Sequence, residues 1–183
     1  MQEKPHHPRL AWAITGSGHY LEECIDMMQQ FDDIDLFFSQ AGEEVVRMYG
    51  HDPKRLVGKG RIYRDRGASS PPVGLFYRGD YHTLVIAPTT SNTVAKMGLG
   101  ISDTLVTNIY AQAGKCRIPS LVLACDTAPE METPAPDRVV KVWPRSIDLE
   151  HTETLSKAPL TSVVINPAQL KEQLVKRLTD LVD

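Results

Sequence analysis

The sequence lacks most of the features that mark membrane, secreted or nucleic-acid-binding proteins. No apolar run approaches the roughly 18 residues of a membrane-spanning helix, and the N-terminal segment has no apolar core of a secretion signal. The three cysteines form no C-x-x-C pair, which argues against a disulfide framework and against a zinc site. A net charge of -3 gives no positive field to attract nucleic acid. We therefore expect a cytoplasmic protein without a metal site that binds neither membranes nor nucleic acid.

What the sequence does contain is an ordinary globular composition. Of its 183 residues, 42% are hydrophobic and 23% are charged, which is enough apolar material for a sizeable core. This length fits one domain spanning residues 1–183. We expect residues 1–8 to form a flexible N-terminal tail.

Strand and helix patterns alternate along the chain. Short, wholly apolar runs predict buried strands at Leu10–Thr15, Ile34–Phe38, Thr83–Ala87, Ser120–Cys125 and Ser162–Ile165, with a weaker one at Val139–Trp143. Helical spacing predicts helices at His19–Gln30, Glu43–Met48, Ser91–Met97 and Ser102–Ala113, the last capped by Ser102, and a further helix opening at Asn166 and Pro167. Because the strands are apolar rather than alternating, the fold class is predicted to be α/β, with a Rossmann-like (flavodoxin-like) doubly wound parallel sheet in a single domain.

Two long segments do not fit this alternation. Gly50–Gly79 is rich in Gly, Pro and Arg, and Asp126–Pro136 contains three of the thirteen prolines. Both are predicted to be loops, and loops of this length inside a compact domain are usually functional or mobile.

Ligands of an open α/β sheet bind beyond the carboxyl ends of its strands, so the residues at those ends are the candidate site. Thr15, Gly16 and Ser17 join the first strand to a helix, where backbone amides and the helix dipole favour a phosphate. The segment does not match the P-loop or the full G-x-G-x-x-G fingerprint. It is therefore either a structural turn or a ligand loop.

A row of small polar residues follows the third apolar strand. Pro88, Thr89, Thr90, Ser91, Asn92 and Thr93 place four hydroxyls and one amide on neighbouring residues. Neutral donors and acceptors in this number suit a planar, heteroatom-rich ligand with a phosphate tail. In the alternative interpretation Ser91 caps a helix and the threonines cover a turn.

Two stretches around this row resemble a known signature. Ala87–Lys96 followed by Gly100–Thr107 is similar to the P-A-S-A-N-T and G-I-A-D-N-L-L-T motifs of the homo-oligomeric flavin-containing proteins. That family includes cysteine decarboxylases, flavin prenyltransferases and archaeal-type flavoproteins. The resemblance extends from about Leu10 to Asp126.

The resemblance implies a domain that binds FMN near the subunit interfaces of a trimer-based homo-oligomer. By matching position, Gly16, Ser17 and Ser39 would lie near the ribityl or phosphate groups, and Thr90 to Thr93 near the phosphate or the ring. Ser102 and Asp103 would serve the same site or the trimer contact. The implied cofactor-binding set is completed by Thr15, Pro88, Thr89, Ala124, Cys125 and Asp126. Cys125 is either a buried inert thiol or a contact of the flavin.

The chain departs from the decarboxylase members of this family at two places. Gly74 stands where they carry a histidine, and Ala124-Cys125-Asp126 stands where they carry a P-x-M-N segment. Val140–Leu155 instead resembles archaeal-type flavoproteins and dihydromethanopterin reductases. These similarities imply an FMN-dependent reductase of one-carbon metabolism. It would pass electrons from a nicotinamide or redox-protein donor to a reduced pterin such as dihydromethanopterin.

Two other functions remain open on the sequence alone. One is a non-redox flavin-binding protein, such as a flavin prenyltransferase-like transferase. The other is a cysteine decarboxylase-like lyase. The sequence nominates no catalytic acid for any of the three functions.

Overall fold

Six parallel strands form the central sheet, and most of their side chains are buried on both faces. The computed structural model describes residues 8–67, 70–135 and 137–181. The strands of this sheet are β1 (Arg9–Ile14), β2 (Ile34–Phe38), β3 (Ile62–Arg64), β4 (Tyr81–Thr89), β5 (Ser120–Ala124) and β8 (Thr161–Val164). They lie in the order β3-β2-β1-β4-β5-β8, so the chain reverses its direction of winding between β1 and β4. This is the strand order of dinucleotide-binding Rossmann sheets.

Helices cover both faces of the sheet, as its apolar strands require. They are α1 (Leu21–Met28), α2 (Gln40–Met48), α3 (Gly74–Tyr77), α4 (Ser91–Gly98), α5 (Leu105–Lys115), α6 (Ser146–Ser156) and α7 (Pro167–Thr179). Trp12 and Ile14 of β1 pack with α1, α2 and α7 on one face, whereas Ala11 and Ala13 pack with α3 to α6 on the other. The predicted doubly wound α/β sheet is confirmed. No helix within the described residues is long and apolar enough to cross a membrane.

One predicted strand is present but does not belong to the central sheet. The segment predicted at Val139–Trp143 is β7 (Arg138–Val142), which pairs antiparallel with β6 (Met131–Ala135) in a separate hairpin. The loop predicted for Asp126–Pro136 therefore contains β6, and Pro136 lies outside the described residues. Pro134 argued against a strand at this position, because proline occurs in strands only at edges and in ribbons that leave its nitrogen unpaired.

Other boundaries also differ from the predictions. The Gly50–Gly79 segment is not one long loop, since it contains β3 and α3. Thr104 caps α5 in place of Ser102, because its Oγ1 accepts a hydrogen bond from the Thr107 amide at 3.2 Å. The start of α7 is confirmed: Asn166 Oδ1 accepts from the Gln169 amide at 2.9 Å. The predicted tail lies outside the described residues except for Pro8.

Candidate functional site

The loops after β1 and β4 meet where the direction of winding reverses. The Thr15 hydroxyl donates to the Pro88 carbonyl at 2.9 Å and accepts from the Thr90 amide at 2.8 Å. Thr15 is 1% exposed, and Pro88 is also buried. Thr89 is fully buried, and its hydroxyl donates to the Ile86 carbonyl at 2.6 Å. These three predicted site residues therefore shape the two loops and present no free side chain to a ligand.

A polar cavity of about 370 Å³ lies between the N-termini of α2 and α4. It brings together residues from five segments of the chain: Gly16, Ser39, Gln40, Ala41, Asp65, Thr90, Asn92, Thr93, Lys96 and Thr104. Ser39 caps α2 by accepting from the Gly42 amide at 3.0 Å, and Thr90 caps α4 by accepting from the Thr93 amide at 3.4 Å. The first amides of a helix have no helical acceptor and carry partial positive charge. Two such helix ends on one cavity favour an anion.

The loop after β1 packs closely on the start of α2. A Cβ on Gly16 would lie 2.6 Å from the Ala41 Cβ, and one on Gly42 would lie 2.3 Å from the Ile14 carbonyl oxygen. Neither position has room for a side chain. The two glycines therefore keep the β1 loop against the amides at the start of α2.

The second half of the sequence motif lies at the edge of this cavity. Lys96 lines the polar cavity, and its ammonium donates to both carboxylate oxygens of Asp103 at 2.8 and 2.9 Å. Asp103 and Ser102 are exposed, and neither lines the cavity. The structure thus separates these two residues from the other predicted site residues, although Asp103 reaches the cavity indirectly by holding Lys96.

A second cavity of about 380 Å³ begins on the other side of Gly16, and it is called the apolar cavity because about half of its lining residues carry apolar side chains. The β6–β7 hairpin forms one wall of it, and the β1 loop, α2 and the end of β5 form the rest. The lining residues are Gly16, Ser17, Gly18, His19, Val45, Met48, Tyr49, Cys125, Asp126, Met131, Thr133, Pro134, Ala135, Val140 and Val142. Gly16 lines both cavities, so the two are neighbours along the same edge of the sheet.

The hairpin wall was not predicted from the sequence. Met131, Thr133 and Ala135 of β6 face the cavity together with Val140 and Val142 of β7. This spacing of two residues is typical of a ribbon with one apolar face, and it is the signal that could have found the wall. Two bonds tie the hairpin down: the Tyr49 hydroxyl donates to the Pro134 carbonyl at 2.9 Å, and His19 Nδ1 lies 3.0 Å from Thr133 Oγ1.

The residues at the end of β5 are mostly occupied with internal bonds. Burial raises the pKa of the Cys125 thiol to about 12, so the thiol is protonated at neutral pH. The Asp126 carboxylate accepts a short hydrogen bond from the Ser91 hydroxyl, which joins the end of β5 to the start of α4. Ser91 itself lines neither cavity, and Ala124 is fully buried. Cys125 and Asp126 line the apolar cavity beside Ser17.

Comparison with known proteins gives consistent relatives. The family model described as Flavoprotein matches residues 1–183. A crystal structure of Burkholderia xenovorans DmrB in complex with FMN, titled a cubic protein cage for redox transfer, is 48% identical, with a TM-score of 0.89 over 99% of this chain and 100% of that one. Dihydromethanopterin reductases (acceptor) of Methanosarcina mazei and Methanocaldococcus jannaschii are 40% and 39% identical over 64% of this chain. The alignments cover only 55% and 53% of those two proteins, so the chain spans about half their length.

Proposed function

The chain belongs to the Flavoprotein family, and we propose that it is an FMN-dependent reductase. It passes electrons from a nicotinamide or redox-protein donor to a reduced pterin such as dihydromethanopterin, giving tetrahydromethanopterin. Support comes from the 48% identity to a protein crystallised with FMN and from two relatives named dihydromethanopterin reductase. Solved structures of a cysteine decarboxylase and of a protein in complex with FMN and dimethylallyl pyrophosphate are similar at less than 20% identity and support the fold alone.

The observation that carries this proposal is the pairing of the two cavities at Gly16. The polar cavity offers as donors the amides of two helix N-termini, the hydroxyl of Ser39 and the ammonium of Lys96, and this set suits a phosphate. The one carboxylate in its lining, Asp65, accepts from the Leu105 amide. The apolar cavity beneath the hairpin suits a planar ring. The residues present therefore fit FMN, with the phosphate in the polar cavity and the ring in the apolar one. Ser17 and Asp126 lie along the proposed ring site.

The bound cofactor supplies the electron-transfer chemistry, and the protein supplies position and environment. Met131, Val140 and Val142 would shield one side of the ring from water. The helix amides would hold the phosphate end together with the side chains of Ser39, Asn92 and Lys96. Neutral groups line the ring site, apart from Asp126, whose carboxylate is already bonded to Ser91. The predicted residues Thr15, Pro88, Thr89 and Ala124 act by shaping the loops.

We further propose that the chain assembles into a trimer-based homo-oligomer with FMN near the subunit interfaces. The similar Burkholderia protein is described as a cubic cage. Ile101, Ser102 and Asp103 follow the cavity residues in sequence but are exposed, and Leu99 is 61% exposed beside them. An apolar, exposed segment next to the site suits a contact with a second copy.

All three cysteines are free, which suits the reducing environment of the cytoplasm.

The central experiment is anaerobic reduction of the FMN-loaded chain. We expect NADH, NADPH or a reduced redox protein to bleach the flavin absorbance, and dihydromethanopterin to restore it. A flavin that no donor reduces, or that dihydromethanopterin leaves reduced, would exclude this reductase activity. A chain that takes up no FMN would exclude every flavin-dependent function.

The phosphate end of the proposed site is tested by affinity rather than by turnover. Asn92→Ala removes an amide from the polar cavity, so FMN affinity should fall about tenfold to a hundredfold, as for a hydrogen bond to a charged group. Affinity for riboflavin, which has no phosphate, should change far less. Gln29→Ala is the matched control, because it removes an exposed side-chain amide that lines neither cavity. Equal losses for FMN and riboflavin would remove Asn92 from the phosphate site.

A further inference from the structure

His19 has a buried ring nitrogen that the fold does not use. Its Nδ1 lies 3.0 Å from Thr133 Oγ1, but its Nε2 has no hydrogen-bond partner. Within the described residues, Nε2 is the one buried side-chain nitrogen or oxygen atom in this condition. Buried polar atoms are bonded in the great majority of cases, because leaving one unpaired costs the free energy of removing it from water. An unpaired Nε2 therefore indicates a partner that is not part of the polypeptide.

The position of the imidazole identifies what that partner would be. His19 lines the apolar cavity beneath the hairpin. Three other polar side chains there each have a partner: the Tyr49 hydroxyl bonds to Pro134, the Asp126 carboxylate bonds to Ser91, and Ser17 Oγ accepts from the His19 amide. A planar ring entering this cavity would meet apolar side chains on the hairpin, and it would reach Nε2, which has almost no accessible surface, by displacing the groups that cover it. Few, well-placed polar groups in an apolar pocket are what fix a ligand's orientation.

We propose that His19 is the positioning residue of the flavin ring, with Nε2 forming a hydrogen bond to the polar edge of the isoalloxazine. Thr133 bonds to Nδ1 of the imidazole, so the packing of the hairpin also fixes the direction in which Nε2 points. This inference rests on the proposed function, because it takes FMN to be the ligand of the apolar cavity.

The charge state of the imidazole is compatible with this role. Burial lowers the pKa of His19, while Asp126 and Glu23 act against that shift. The ring is therefore neutral near pH 7, with one nitrogen a donor and the other an acceptor. The Thr133 hydroxyl can serve as either donor or acceptor, so the bond to Thr133 is compatible with either tautomer and leaves Nε2 available to the ligand.

Three substitutions separate this role from a purely structural one. His19→Gln carries its amide near the position of Nε2 and should replace the bond to the ring. His19→Asn carries its amide near Nδ1, so it retains the bond to Thr133 and removes the bond to the ring. Thr133→Val removes the hairpin bond and leaves Nε2 in place.

The readouts are the dissociation constants of FMN and riboflavin, the visible absorption spectrum of bound FMN and its midpoint potential. His19→Asn should weaken FMN and riboflavin by the same factor, about threefold to tenfold for one neutral hydrogen bond. It should also shift the absorption bands toward those of free FMN and change the potential. His19→Gln should recover affinity and spectrum to within about twofold of wild type, and Thr133→Val should lose less than His19→Asn.

Two outcomes would overturn the inference while the proposed function stands. One is wild-type affinity, spectrum and potential in His19→Asn. The other is a larger loss of FMN affinity in Thr133→Val than in His19→Asn, which would mean that His19 only holds the hairpin in place. In both cases the wild-type chain still binds FMN and reduces the pterin. A wild-type chain that takes up no FMN would overturn the proposed function and this inference together.

Discussion

Tyr81 gives a stability prediction that can be worked through from the structure. Its hydroxyl donates to Asp35 Oδ2 at 2.6 Å, at a place where Tyr81 is 2% exposed and Asp35 is fully buried. The same carboxylate accepts from Arg9 Nη2 at 2.7 Å and from the Arg61 amide at 2.7 Å. Tyr81→Phe keeps the aromatic contacts with Phe37 and removes only the hydroxyl. Because Asp35 keeps its other partners, the variant should lose about 1.5–3 kcal/mol, as for a hydrogen bond to a charged group.

The pH dependence of this difference follows from the pKa of the phenol. Burial and the hydrogen bond to Asp35 raise the pKa of Tyr81 above its usual value. The folded protein therefore keeps its proton when the unfolded chain begins to lose it near pH 10, and stability falls as the pH rises further. At pH 11 ionisation in the unfolded chain should remove about 1.4 kcal/mol from wild type and nothing from Tyr81→Phe. The gap between the two proteins should narrow by that amount.

The assay is urea unfolding of wild type and Tyr81→Phe at pH 8 and at pH 11. Comparing the two proteins at each pH cancels the ionisation of Cys24, Cys125 and the other tyrosines. Equal slopes against urea would show that the variant unfolds in the same way. A gap that stays the same at both pH values would mean that Tyr81 ionises in the folded protein as in the unfolded chain, and the buried hydrogen bond would have to be abandoned.

Two further predictions concern single positions. Gly60→Ala should give little folded protein, because its Cβ would lie 1.4 Å from a backbone oxygen of β2, whereas Gly114→Ala in α5 meets no atom within 4 Å and should be neutral or up to about 1 kcal/mol stabilising. Chemical denaturation compares the stability of the two variants, and similar stability in both would refute the close approach at Gly60. Iodoacetamide at pH 8 should modify Cys116 before Cys24 and Cys125, because burial raises the pKa of the Cys24 and Cys125 thiols. Mass spectrometry of the first labelled peptide tests this order, and early labelling of Cys125 would contradict its burial.

The parts of the fold that could be predicted are those whose signal is local. β1, β2, β4 and β5 are largely apolar on consecutive residues because both sheet faces are covered, with Asp35 of β2 as an exception, and that pattern is visible in any short window. The start of α7 was equally visible, because its cap and first-turn proline are adjacent in sequence. β6 and β7 alternate weakly and become a hairpin only through pairing with each other and packing over the cavity. α6 buries Leu155 as one of few apolar side chains, so its helical pattern is faint.

The candidate site also has a part that local sequence indicates and a part that depends on long-range contacts. A sequence motif identifies residues that are close along the chain, and it brought Ser39, Thr90 and Asn92 to attention without distinguishing their roles. Which of the motif residues face a cavity depends on hydrogen bonds between loops, and Thr15 and Thr89 are consumed by such bonds. His19 is the opposite case, because no sequence motif includes it.

On the sequence His19 is one histidine near a helix start, with nothing to indicate that a hairpin more than a hundred residues later would bury it. Its Nδ1 partner, Thr133, belongs to a strand that the sequence did not predict. The hairpin that carries Thr133 also forms the wall of the cavity that His19 lines. In the proposed FMN site the motif residues would lie at the phosphate end, beside the N-termini of α2 and α4. In the proposed site the polar contact to the ring would come from His19, which no sequence motif includes and which the β6–β7 hairpin contacts through Thr133.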